Sequence, residues 1–177
     1  MTRLDPPFSS ETIYEGSIVN LRVSHYRRAD GLEVRREVMD HPGAVVMIPV
    51  EDEHVLMVRQ PREAVERQTL ELPAGKLDLV GEDPLEAAKR ELAEEVGRAA
   101  GSWQDLGGFY TAPALITEYI HCFLATDLAE VHGHALEEEA IEVERRPLSD
   151  LPALLDGEVE DAKTLIGLLR LARMRGL

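Results

Sequence analysis

Hydrophobic and polar positions along the chain predict a mixture of strands and helices. The segment 12–40 reads as strands. Ile18, Val19, Leu21 and Val23 lead to Ala29-Asp30-Gly31, a hairpin-type turn, and then to a second apolar stretch over 32–39. The apolar run 43–50, a short acidic turn at 51–53 and the apolar stretch 54–58 read as a further pair of strands, with another short strand at 69–72. The clearest helix is 83–96. Asp83 can cap it, Pro84 suits its first turn, Gly97 suits its stop, and Leu85, Ala88, Leu92 and Val96 recur at helical spacing. Strands follow near 103–109, 118–125 and 140–145, and 148–155 and 162–174 read as helices, the last as a core-covering element. The expectation is an α/β (α+β) fold: a mixed β-sheet between helices over 41–177, preceded by a separate antiparallel extension over 1–40.

Composition narrows the class. Of 177 residues, 44% are hydrophobic, enough for a packed core. No apolar run approaches the roughly 18 residues of a membrane helix, and 1–10 lacks an apolar stretch that would serve as a secretory signal. The single cysteine, Cys122, excludes an internal disulfide framework and, lying in an apolar strand, reads as a core residue. The expectation from these features is a soluble, cytoplasmic protein. The formal net charge of −15 argues against a sequence-independent grip on nucleic acid. It leaves a small phosphorylated substrate open, because a divalent cation reverses the local field.

The helix carries Glu91, Glu94 and Glu95 beside its apolar stripe. At about 100° per residue, Glu95 lies roughly 40° and Glu94 roughly 60° from Glu91, so all three project to one flank. Like charges at such spacings each cost about 0.2–0.5 kcal/mol, and neither Lys89 nor Arg90 sits among the three. A hard divalent cation, Mg²⁺ or Mn²⁺, would repay that arrangement with oxygen ligands. An acidic solvent face suits the same three residues equally well.

The wider pattern decides between these readings. Gly75, a six-residue gap, Glu82, seven residues, and then Arg90-Glu91-Leu92-Ala93-Glu94-Glu95-Val96-Gly97 resemble the signature of the Nudix hydrolases. Six fixed positions at about one in ten each make a coincidence roughly one in a million. Two departures stand out: the gap 76–81 is one residue longer than usual, and Arg98 replaces an apolar residue. The resemblance implies a metal-dependent pyrophosphohydrolase holding one to three Mg²⁺ or Mn²⁺ ions. Glu91 and Glu95 would be the main ligands, joined by Glu94 and the carbonyl of Ala74. Gly75, Glu82 and Arg90 would support the site, the last two as a pair.

Three features resemble those Nudix members that cleave ADP-ribose: Glu71-Leu-Pro-Ala-Gly75, Pro113 sixteen residues after Gly97, and Val58-Arg59-Gln60-Pro61-Arg62. By that resemblance Arg59 and Arg62 contact the nucleotide, as the planar fork of arginine suits phosphate and adenine. Pro113 lies at the substrate, and Glu118 is a candidate ribose contact. An acidic stretch, Leu136-Glu137-Glu138-Glu139, precedes an apolar strand; Glu137 is the candidate base and Glu139 a candidate metal contact, with Glu94 the rival base. His132 and His134 read as surface loop residues, and Trp103 and Phe109 as packing. The resemblance also implies a homodimer built through the N-terminal strands. The alternatives are a Nudix enzyme for a nucleotide sugar, dinucleotide or nucleoside triphosphate, and a non-catalytic ADP-ribose sensor.

Overall fold

The computed structural model describes residues 5–79, 81–131 and 141–176. The chain divides into two compact units, one of residues 1–43 with 110–119 and one of 44–109 with 120–177.

In the first unit, β1 (Ser9–Glu15), β2 (Asn20–Arg27) and β3 (Glu33–Asp40) form an antiparallel sheet in sequence order. The expected turn joins β2 to β3: Gly31 donates to the Arg28 carbonyl at 2.9 Å, and Asp30 Oδ1 accepts the Leu32 amide at 3.0 Å. Arg22–Asp40 (2.7 Å) and Arg27–Glu33 (2.6 Å) tie the two strands at their ends. A register shift between Thr12 and Tyr14 bends β1. Phe8, Ile13, Tyr14 and Ile18 remain exposed around this strand. Residues 110–119 join the unit through Met39, whose amide donates to Leu115 (2.8 Å) and whose carbonyl accepts from Thr117 (3.0 Å).

The second unit is organised by β4 (Ala44–Glu51), whose first seven residues are all buried. Strands covered on both faces need such continuous apolar runs. Val46, Ile48 and Val50 point to one core with Leu72, Leu151, Leu154, Leu168 and Leu171. Val45 and Met47 point to another with Leu56, Val58, Ala88, Leu92 and Val96. Each fully buried aliphatic side chain contributes about 1.5–3 kcal/mol. β4 pairs with β5 (His54–Arg62) across Asp52-Glu53, both at positive φ, and runs parallel to β9 (Tyr119–Glu130). The seven-stranded sheet has the order β10 (Glu142–Pro147), β5, β4, β9, β8 (Arg98–Tyr110), with β6 (Arg67–Glu71) on β5 and β7 (Ala74–Lys76) on β4.

Helix α1 (Pro84–Val96) runs between the expected caps. Asp83 Oδ1 accepts the Leu85 amide at 2.9 Å, and Gly97, at φ 66°, returns its amide to Ala93 O. The stretch 148–155 is not one helix. A 3₁₀ turn (Leu148–Asp150), a single α turn α2 (Leu151–Ala153) and a π turn (Leu154–Glu158) succeed one another. Pro152 removes a helical donor and Gly157 sits at φ 140°, so no longer helix propagates. Helix α3 (Ala162–Arg175) follows and covers the Leu72 side of the sheet. No described helix is long and apolar enough to cross a membrane.

Candidate active site

Helix α1 presents its acidic flank to β7. Glu95 Oε2 accepts the backbone amide of Ala74 at 3.0 Å. Glu91 lies against Gly75 so closely that a Cβ there would stand 1.9 Å from the Glu91 carboxyl carbon. Glycine is therefore the residue that lets strand and carboxylate meet. Burial pushes Glu95 up to about 8; the Ala74 amide opposes this and the charge of Glu91 adds to it. Burial also raises Glu91, against the pull of Arg90 and with repulsion from Glu94 and Asp78.

Arg90 organises this flank. It donates to both oxygens of Glu82 (3.1 and 3.2 Å), to Glu91 (2.7 Å) and to Glu94 (3.0 Å). The expected Glu82–Arg90 pair is present, but the expectation that Arg90 stays outside the three carboxylates is corrected. Its guanidinium bonds Glu91, the next residue, and Glu94, one turn on, so these two like charges share one counterion. Asp78, in the lengthened gap, faces Arg90 at 3.8 Å. Lys89 pairs instead with Glu86 (2.6 Å). Arg98 spans Glu51 and Glu130, each at 3.6 Å, which gives its long polar side chain a place where an apolar residue would pack.

The arginines of β5 have carboxylate partners. Arg59 pairs with Glu144 of β10. Arg62 forks both oxygens of Glu71 at 2.8 Å each. Glu71, 2% exposed, also accepts from Thr69 (2.6 Å) and Lys163. These donors outweigh the burial that would raise it and hold its carboxyl at about 2. A cleft of about 730 Å³ opens here, lined among others by Arg62, Arg67, Thr69, Glu71, Glu160 and Lys163. Lys163 and Thr164 escaped the sequence reading, and Glu71 entered it only as the first residue of the Glu71–Gly75 segment, without a role of its own. The signal for Lys163 and Thr164 was Asp161 three residues before Thr164, a cap pattern at the start of a helix read only as a core-covering element.

Pro113 and Glu118 lie in the first unit. Pro113 is exposed, and Glu118 accepts from Thr111 Oγ1 at 2.7 Å with His41 Nε2 at 3.6 Å. Glu137 and Glu139, with His132 and His134, fall outside the described residues. Among the described residues no group of three or more His, Cys, Asp or Glu side chains is arranged to hold a metal ion. Glu91 and Glu94 are turned to Arg90, and Glu95 to Ala74.

Comparison with known proteins identifies the family. A family model described as the NUDIX domain matches residues 39–168. An ADP-ribose pyrophosphatase of Bacillus subtilis (strain 168) is 39% identical over 160 residues, 88% of this chain and 86% of that protein. One of Mycobacterium tuberculosis is 40% identical over 165 residues, 91% and 80%. A GDP-mannose pyrophosphatase of Cronobacter sakazakii is 34% identical over 164 residues, 85% and 84%. A crystal structure of an ADP compounds hydrolase superposes with a TM-score of 0.85 at 24% identity, over 99% of this chain and 97% of that one, and shares the fold. With the signature on α1 and a family match across most of its length, the chain belongs to the Nudix family.

Proposed function

We propose that this Nudix enzyme hydrolyses the pyrophosphate bond of ADP-ribose to AMP and ribose 5-phosphate. The observation that carries the reading is the placement of Glu91 and Glu95 on one flank of α1 against Gly75 and Ala74, two carboxylates in a partly buried place whose negative charge a cation would offset. Hard oxygen donors of this kind would suit Mg²⁺ or Mn²⁺: Glu91 and Glu95 would be the main ligands, joined by Glu94 and the Ala74 carbonyl, once Glu91 and Glu94 turn from Arg90. Such an ion would neutralise charge on the diphosphate and lower the pKa of water.

The chain's own groups do the rest. A water oxygen attacks one phosphorus, the bond from that phosphorus to the bridging oxygen breaks, and a glutamate takes the water proton. Glu137 is the candidate base, with Glu94, 43% exposed, as the rival and Glu139 as a further ligand. Glu82 and Arg90 keep the flank of α1 in register. Arg59 and Arg62 meet the nucleotide by exchanging carboxylate partners for phosphate; Pro113 and Glu118 stay candidate substrate contacts on the resemblance alone. The names of two relatives support ADP-ribose; the GDP-mannose pyrophosphatase supports a nucleotide sugar as the second reading.

We further propose a cytoplasmic homodimer in which 1–40 packs on the partner chain. The exposed Phe8, Ile13, Tyr14 and Ile18 support it. Sedimentation as a monomer at micromolar concentration contradicts it. A panel of ADP-ribose, GDP-mannose, dinucleotides and nucleoside triphosphates with Mg²⁺ or Mn²⁺, followed by product analysis in ¹⁸O-water, tests the substrate. Rapid cleavage of another compound with ADP-ribose untouched moves the assignment within the family.

A further inference from the structure

The segment Glu71-Leu72-Pro73-Ala74-Gly75 is anchored at every residue. Ala74 bonds Glu95, Gly75 abuts Glu91, and the Pro73 carbonyl accepts from Met47 at 2.9 Å. The other two anchors come from the first turn of α3. Thr164 Oγ1 accepts the Leu72 amide at 2.8 Å, and Lys163 bonds Glu71. Thr164 is fully buried. Asp161 Oδ2 accepts its hydroxyl at 2.6 Å and its amide at 2.9 Å, and takes Lys163 at 3.0 Å. The direction of the chain is thereby fixed: the Leu72 amide donates to Thr164, whose hydroxyl donates to Asp161.

Leu72 and Pro73 fall between β6 and β7. The Leu72 amide is buried and would lack a partner without Thr164, a loss of roughly 1–3 kcal/mol. Two residues on stands the amide that holds Glu95. We propose that Thr164 and Lys163 are positioning residues for the reaction, fixing through Leu72 and Glu71 the height of the Ala74–Gly75 strand against Glu91 and Glu95. Neither need touch substrate, and the inference rests on the reading in which those two carboxylates drive catalysis.

Thr164→Val keeps the shape and removes the hydroxyl; Thr164→Ser restores it. Two readouts are taken on the full chain. The first is amide hydrogen exchange of the peptide covering 70–76, without substrate or metal. The second is kcat and KM for ADP-ribose with Mg²⁺. In Thr164→Val, exchange rises across 72–76 and kcat falls about 10- to 100-fold, with KM within about twofold because binding groups are untouched. Thr164→Ser returns both to wild-type values. Unchanged exchange, or raised exchange with wild-type kcat, overturns the proposal. Should Thr164→Val fail to fold, Lys163→Met takes its place on exchange and kcat alone, because Lys163 shares Glu71 with Arg62 and KM can move there for that reason; wild-type exchange or wild-type kcat in Lys163→Met overturns the proposal. If the wild-type chain cleaves no diphosphate, the exchange result still decides the anchoring, and the failure falls on the functional reading alone.

Discussion

The amide of Ala74 donates to Oε2 of Glu95 across 3.0 Å, joining β7 to the last turn of α1. One carboxylate oxygen is thereby committed to the backbone. Its neighbour Glu91 is pressed on Gly75. The acidic flank is thus built into the packing of strand on helix, and it accumulates negative charge in a partly buried place.

Replacing Glu91 or Glu95 by glutamine removes that charge and keeps the shape. Turnover should fall at least about 100-fold, the scale of losing a group that stabilises the transition state. The melting temperature should stay close to wild type, since at Glu91 the relieved repulsion is offset by the lost charge partner of Arg90. Steady-state kinetics and circular dichroism check both. Near wild-type turnover in Glu95→Gln would discredit the assignment of the flank.

Gly75→Ala places a methyl group where the Glu91 carboxyl now lies. The carboxylate sits at the end of a flexible side chain, so it swings aside and the fold survives. Activity should drop about 10- to 100-fold with little change in thermal stability. A variant that loses its fold instead would show that the close approach serves packing.

Glu71 makes stability depend on acid. Its folded carboxyl titrates at about 2, below the ordinary 4.5. Stabilisation is therefore complete above about pH 5 and drains away as pH falls from 4.5 towards 2. The difference corresponds to roughly 3 kcal/mol. Urea unfolding at a series of pH values should show wild type and Glu71→Gln converging across that window. Parallel curves would contradict it.

Leu92 is fully buried between α1 and the β4 face that carries Val45 and Met47. Leu92→Ala should cost about 2–5 kcal/mol in unfolding free energy. A cost below about 1 kcal/mol would mean that α1 is held mainly by its polar flank.

Much of the scaffold was legible because its physics is local. The caps of α1, the run 44–50 and the turn at Gly31 each follow from neighbours in sequence. The carboxylate flank was legible for the same reason, as helical spacing alone puts Glu91 and Glu95 together. What escaped depends on long-range partners. β7 exists because β4 offers it an edge, and Arg62 meets Glu71 because β5 and β6 pair. Thr164 reaches Leu72 across 92 residues of chain. Arg90 was misjudged for a different reason: angular position describes where its Cβ points, and a long guanidinium side chain reaches well beyond that.

The central claim is that Glu91 and Glu95 together hold a divalent cation against a diphosphate. Calorimetric titration of Mn²⁺, in the presence of a methylene-bridged ADP-ribose analogue that cannot be cleaved, tests it most directly. The account predicts saturable binding to the wild-type chain and a loss of affinity of at least about tenfold in the doubly substituted Glu91→Gln, Glu95→Gln protein. Equal binding by both proteins would contradict it.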